Sequence, residues 1–443
     1  MFRKEETKLE KWRTEIEQVN VTDDLLEKAI HQGFHRAKNI HPARRQRLYL
    51  KRGIWSLVVA TILFLTLVTS IRVSPVMANA VASIPGMERF VDFIRDDKGL
   101  ASAIENEYYQ ELNLSTEKKG VTLTLDGVIM DEQEMVVFYT VSRLKKDNYI
   151  EVGFPIVTND NEKDPIIKGG STSSSSLNFG EDDFEHTAKV NVHFSEGIQE
   201  NDFVFEVIVN VDSKDINFEI PFSADKVKKP TTRYPVNQVA TIEGQQIIIK
   251  QVEISPLKVA IHVGVDDANA KEILGFEDLR LVDDKDETWT SINNGITASG
   301  DPETDDMIYY LQSNYFEEAK ELYLQFNKLM AIDKDEAFII IDTESEKIIQ
   351  QPKDMRFSNL TVNGKFINIK MRGEEGYHHH PFSTITDAVG EEFYISSSGF
   401  SGEYEGQIEL SLELPDDTFE NPIKLHFDGY PNYISGKAKI KIK

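Results

Sequence analysis

Leu9, Trp12, Ile16 and Val19 recur at spacings of three and four, which lays them along one face of an α-helix. Asn20 and Val21 break that pattern. Thr22 then offers an N-cap, with Asp23 and Asp24 in the first turn, where the helix dipole favours negative charge. Leu26, Ile30, Gly33 and Ala37 form a second stripe with Leu25 and Phe34 beside it, ending before His41-Pro42. Ile54 to Ile71 is 18 residues without a charge, about 27 Å as a helix and close to the thickness of a bilayer's hydrocarbon core. Further on, Met87, Phe90, Val91 and Ile94 fit a short helix, and Leu100, Ala103, Ile104 and Tyr108 a second.

Beyond residue 110 the period changes from helical to alternating. Val121, Leu123 and Leu125 alternate with Thr122 and Thr124, Asp126-Gly127 offers a turn or bulge, and Met135–Val141 is a more apolar run. The order returns at Ile247–Ile254, a Ser255-Pro256 break and Val259–Val265, and again at Leu360–Val362, Asn363-Gly364 and Phe366–Ile369. Each copy closes in a similar way: Val190–Phe194 and Phe203–Val209, then Leu322–Phe326 and Phe338–Ile341, then Ile408–Leu414, alternating with Glu and Ser, and Ile423–Phe427. Spans of about 100 residues built this way suit immunoglobulin-like sandwiches. The expected division is a helical segment at 1–53, a transmembrane helix at 54–71, a juxtamembrane helical segment at 72–110, and β modules at 111–225, 226–352 and 353–443. The expected fold class is therefore a mostly β ectodomain of tandem sandwiches, one transmembrane helix and a short α-helical N-terminus.

Charge orients this arrangement. Residues 1–53 carry 13 basic and 8 acidic side chains, whereas the remaining 390 carry 36 and 67. Arg44, Arg45, Arg47, Lys51 and Arg52 precede the apolar run, and only Arg72 and Arg89 follow it closely. The positive-inside rule places the N-terminus in the cytoplasm and the C-terminus outside the cell. A cleaved leader ending at Ala78-Asn79-Ala80 is the competing reading, but its basic region would be 53 residues long. The acidic body repels nucleic acid, so no nucleic-acid partner is expected. With no cysteine there is no disulfide, thiolate metal site or cysteine nucleophile.

Two short amphipathic helices cannot form a core alone, so their apolar faces need a partner. Membrane lipid, a second copy or a cytosolic protein would each serve. The acidic residues Glu5, Glu6, Glu10, Glu15 and Glu17 make the first helix a poor binder of anionic lipid and favour a protein partner. The candidate contacts are Leu9, Trp12, Ile16, Leu26, Ile30 and Phe34. His378-His379-His380 invites a metal reading, yet adjacent side chains on an extended chain point to opposite sides, so an ordinary loop is expected. The acidic loops at 283–287 and 301–306 lack the calcium-loop spacing, and Ser171–Ser176 reads as a flexible loop. No phosphate loop, dinucleotide fingerprint, nucleophile elbow or HExxH occurs, so neither an enzyme, a cofactor nor a metal site is expected.

Three stretches carry a resemblance: TDDLLEKAIHQGFHRAK, IRVSPVMANAVASIPGMERFVDFIRDDKGLASAIENEYYQELN and VTLTLDGVIMDEQEMVVFYTV. With the apolar run between them, residues 20 to 143 resemble anti-sigma-factor-like single-pass membrane proteins of Firmicutes, whose β-rich ectodomains have no known function. The resemblance implies that the N-terminal helices sequester an extracytoplasmic-function sigma factor and that the ectodomain senses the envelope through an unknown extracellular ligand. The histidine and paired cysteines of zinc-binding anti-sigma domains are missing, so a zinc-free variant is implied. An adhesion or scaffold protein of the cell envelope is the alternative reading.

Overall fold

In a computed structural model the chain divides into two compact units, Met1–Ser74 and Pro75–Lys443. The structure describes residues 88–443 except 92–93, 95–96, 144–149, 160–161, 166–170, 175–182, 195–196, 198–200, 226–229, 293–296, 301–306, 375–376, 378, 405 and 416–418. The helices and contacts expected in residues 1–53, the membrane span at 54–71 and the acidic loop at 301–306 lie outside the described residues. The described part is mostly β. A 3-10 turn at Glu88–Phe90 precedes its single α-helix, α1 (Lys98–Glu105). No described helix is long and apolar enough to cross a membrane.

Ten strands follow: β1 (Gln110–Lys118), β2 (Val121–Met130), β3 (Glu134–Arg143), β4 (Ile150–Val152), β5 (Ile156–Asn159), β6 (Glu162–Pro165), β7 (Ser171–Ser174), β8 (Glu185–His193), β9 (Asp202–Val211) and β10 (Lys214–Ser223). They make two antiparallel sheets, β1-β2-β3-β8-β7 and β10-β9-β5-β6, with β4 also paired to β9. Inward residues of both sheets, such as Leu123, Val137, Val190, Phe205 and Phe218, share one apolar core. Alternation drives this packing: along β10 every second residue from Ile216 to Phe222 is buried. Ser171–Ser174, expected in a loop, is an edge strand paired with Val190–His193, because ladder hydrogen bonds need only backbone.

The second set is β11 (Thr232–Ile242), β12 (Gln245–Ile254), β13 (Lys258–Val265), β14 (Lys271–Phe276), β15 (Arg280–Asp283), β16 (Thr288–Trp289), β17 (Ala298–Gly300), β18 (Met307–Gln312) and β19 (Leu322–Asp333). The third is β20 (Phe338–Asp342), β21 (Lys347–Gln350), β22 (Phe357–Asn363), β23 (Phe366–Arg372), β24 (Phe382–Thr386), β25 (Glu392–Tyr394), β26 (Ser397–Tyr404), β27 (Gln407–Glu413) and β28 (Ile423–Phe427), after which comes β29 (Tyr433–Lys441). One strand order recurs three times, as β2-β3-β8-β7, β12-β13-β18-β17 and β22-β23-β27-β26. A facing order recurs as β10-β9-β5-β6, β29-β19-β15-β16 and β20-β28-β24-β25.

The ends of these sets are exchanged. In the first set β9 pairs with β10, the next strand in the chain. In the second, the equivalent partner of β19 is β29, at the far end of the sequence. In the third, the partner of β28 is β20, which directly follows β19. Phe338–Ile341, expected to close the second module, is therefore a strand of the third, and the last strand belongs to the second. The physical reason is that Ile339 and Ile341 fill the third core beside Leu425, whereas Ile434 and Ile440 fill the second beside Leu324. Two chain crossings thus tie these modules together.

Candidate functional site

The densest buried chemistry among the described residues lies where α1, the first module and the second meet. It starts from two hairpin turns in equivalent places, Asp131–Glu134 between β2 and β3 and Ser255–Lys258 between β12 and β13. Asp131 shapes its own turn, its Oδ1 accepting from the backbone N–H of Gln133 and Glu134, each at 2.9 Å. Its Oδ2 reaches across to the other turn and accepts from Ser255 Oγ at 2.8 Å and Leu257 N at 3.2 Å. Glu132 Oε2 accepts from Thr231 Oγ1 at 2.7 Å, at the entry to β11.

Behind these turns lies an ionic core. Lys258 Nζ donates to Glu134 Oε2 at 2.5 Å, with the two side chains 4% and 10% exposed. The same ammonium lies 2.7 Å from His193 Nδ1 and 4.2 Å from the centre of the Tyr310 ring. His193 Nε2 is 3.2 Å from Tyr310 Oη, which is 2.8 Å from Ser299 Oγ. A polar chain therefore runs from β3 and β8 of one module to β13, β18 and β17 of the next. Burial raises the proton affinity of Glu134, but Lys258 and His193 outweigh it and hold the carboxyl below the ordinary glutamate range. Nearby, burial pushes the Asp97 carboxyl up and the Lys189 ammonium down, each partly offset by the other's charge. Asp97, Glu134, Lys189 and Lys258 surround a cavity of about 20 Å³, room for one water.

The segment before β1 is wedged into this junction. Asp97 caps α1, accepting from Leu100 N at 3.0 Å, and residues 99–104 are all buried. Phe90, Ile94, Leu100, Ala103 and Ile104 pack on Ile129, Val136 and Phe138 of the first module and on Leu257 of the second. This explains why β3 is buried on both faces: α1 covers the side that an open sandwich leaves to water. A Cβ on Gly99 would stand 2.5 Å from the backbone nitrogen of Ser313, so only glycine lets the helix approach that closely. Lys98 Nζ donates to Glu287 Oε1 at 2.6 Å and to the Thr288 carbonyl at 2.9 Å, engaging the acidic loop at 283–287. Arg89 pins the preceding turn through Asp126 at 3.7 Å and Glu185 at 3.4 Å.

Leu9, Trp12, Ile16, Leu26, Ile30 and Phe34 all lie outside the described residues. Nor did sequence reading single out Glu134, His193 or Lys258. Each ends or begins a strand, where a charged residue ordinarily meets solvent; Lys258 finds its partners His193 and Glu134 65 and 124 residues away along the chain. Of the histidine run, His379 Nε2 lies 3.4 Å from Glu277 and His380 Nδ1 3.3 Å from Ser398 Oγ, on different partners. Asp333, Asp335 and Glu336 hold carboxylate oxygens within 4.8 Å of one another, but Lys271 and Lys353 already bridge to Asp333 and Glu336.

Comparison with known proteins gives two family matches. Residues 49–143 match a domain of unknown function, DUF4179, and residues 231–355 match a family of unknown function, DUF5643. No curated protein matches. A crystal structure of the conserved domain protein from Bacillus anthracis is similar over 76% of this chain and 92% of that chain, at 13% identity and a TM-score of 0.38.

Proposed function

We propose that this chain is a membrane-anchored regulator: an anti-sigma factor whose N-terminal helices hold an extracytoplasmic-function sigma factor while immunoglobulin-like modules outside the cell read the envelope. The observation that carries this reading is the burial of Phe90, Ile94 and residues 99–104 between two modules. Phe90, Ile94, Leu100 and Ile104 are almost fully buried, a gross transfer gain of about 6–12 kcal/mol before ordering costs. Any ligand that alters the relation of the modules therefore alters the chain segment that follows residues 54–71. The first family matched is typically a domain of anti-sigma-factor-like proteins, which supports the same reading.

In this reading residues 54–71 span the bilayer with the N-terminus inside, and Leu9, Trp12, Ile16, Leu26, Ile30 and Phe34 face the sigma factor. The test is affinity capture of the full-length chain from membranes through a tag at Met1. Recovery of a sigma factor with the full chain, and its loss on deleting residues 2–41, is the expected outcome. Capture of no sigma factor, or equal capture by the deleted chain, refutes it.

A further inference from the structure

The outward side of the sheet β22-β23-β27-β26 forms an open groove of about 710 Å³, within the range of small-ligand sites. Asn359, Thr361, Asn368, Lys370, Glu409 and Ser411 line it, with Gly399 on one wall and the buried Ile369 and Leu410 beneath. Its two charged side chains neutralise each other, Lys370 Nζ meeting Glu409 Oε1 at 2.7 Å. The side chains of Asn359, Thr361, Asn368 and Ser411 make no hydrogen bond to another described protein group. They leave a row of amides and hydroxyls that both donate and accept. Phe366 is 43% exposed and shares the face of Asn368, two residues along the strand.

We propose that this groove binds a neutral glycan chain. A sugar polymer presents hydroxyl and acetamido groups that match a donor-and-acceptor lining, together with an apolar C–H face suited to the Phe366 ring. The pairing of Lys370 with Glu409 leaves no free charge to recognise an ionic ligand, and the acidic body disfavours a polyanion. The groove is open at its narrow wall as well: nothing lies within 4 Å of where a Cβ on Gly399 would stand. The proposal shares with the preceding one only the exterior placement of the β-rich body. A titration reads it whether or not residues 1–41 hold a sigma factor.

The test is calorimetric titration of the full-length chain in detergent with the tetramer of N-acetylglucosamine. Saturable binding is expected. Gly399→Tyr, which fills the groove without a clash at Cβ, is expected to weaken it at least about tenfold, and Asn368→Ala about fivefold, with thermal unfolding unchanged in both. Absence of saturation at about 10 mM sugar overturns the proposal. So does equal binding by folded Gly399→Tyr, or tighter binding of a polyglycerol phosphate or an uncharged peptide than of the sugar.

Discussion

Removing the Lys258 ammonium should open the junction between the first two modules. Lys258→Ala leaves Glu134, itself 10% exposed, without the cation that donates to it at 2.5 Å. A buried carboxylate stripped of its partner costs about 3–5 kcal/mol, far more than an exposed ion pair. The modules have separate apolar cores, so the loss falls on the junction rather than on either sandwich. Hydrogen exchange reads it residue by residue at the amides of Leu100, Gln133, Glu134 and Leu257, which donate to Asp97 and Asp131. Where exchange proceeds by local opening, it should quicken roughly 150- to 5,000-fold, up to the limit set by the junction's own stability. The paired variant Glu134→Gln/Lys258→Met removes both charges and should return these amides to within about tenfold of the original rates. Exchange within about threefold of the original in Lys258→Ala would falsify the ionic core as a latch. A paired variant as open as the single one would do the same.

Gly99→Val should release α1 from the second module, since its Cβ meets the Ser313 backbone at 2.5 Å; a loss of about 1–3 kcal/mol should appear in denaturant unfolding. Glu134 sits below the ordinary glutamate range, so its stabilising contribution is present above the unfolded value of about 4.3 and lost as pH falls through the folded one. The stability gap between the original chain and Glu134→Gln should therefore shrink in titrations below about pH 4. Asp97, raised by burial, runs the other way: its contribution is fully present below the unfolded aspartate value and lost as pH rises through the raised one, which Asp97→Asn should abolish. Deleting residues 433–443 removes the partner of β19 and the core residues Ile434, Ala438 and Ile440, so calorimetry should show the second and third modules unfolding earlier while the first is unchanged.

The hairpins β2–β3, β12–β13 and β22–β23 were legible in the sequence because alternation and turn residues are local signals. The more apolar run Met135–Val141 was also legible, although only the structure shows that α1 buries its second face. The exchange of β20 and β29 left no such trace. Phe338–Ile341 is a short apolar run like any closing strand, and nothing nearby says that its partner lies in Ile423–Phe427 rather than in β19. The ionic core was hidden for a similar reason: Glu134, His193 and Lys258 carry no spacing that separates a buried charge from an exposed one. Burial of the juxtamembrane segment against β2 and β3 was foreshadowed by Leu100, Ala103 and Ile104 at helical spacing, but its second contact, on Leu257, was not.

The most direct measurement is sigma-dependent transcription in cells carrying the original chain, Lys258→Ala, or Glu134→Gln/Lys258→Met at equal membrane levels. If the junction relays the state of the outer modules to the N-terminal helices, the reporter rises in the single variant and falls back in the paired one. A reporter that stays flat in the single variant, while its hydrogen exchange shows the junction open, contradicts the relay.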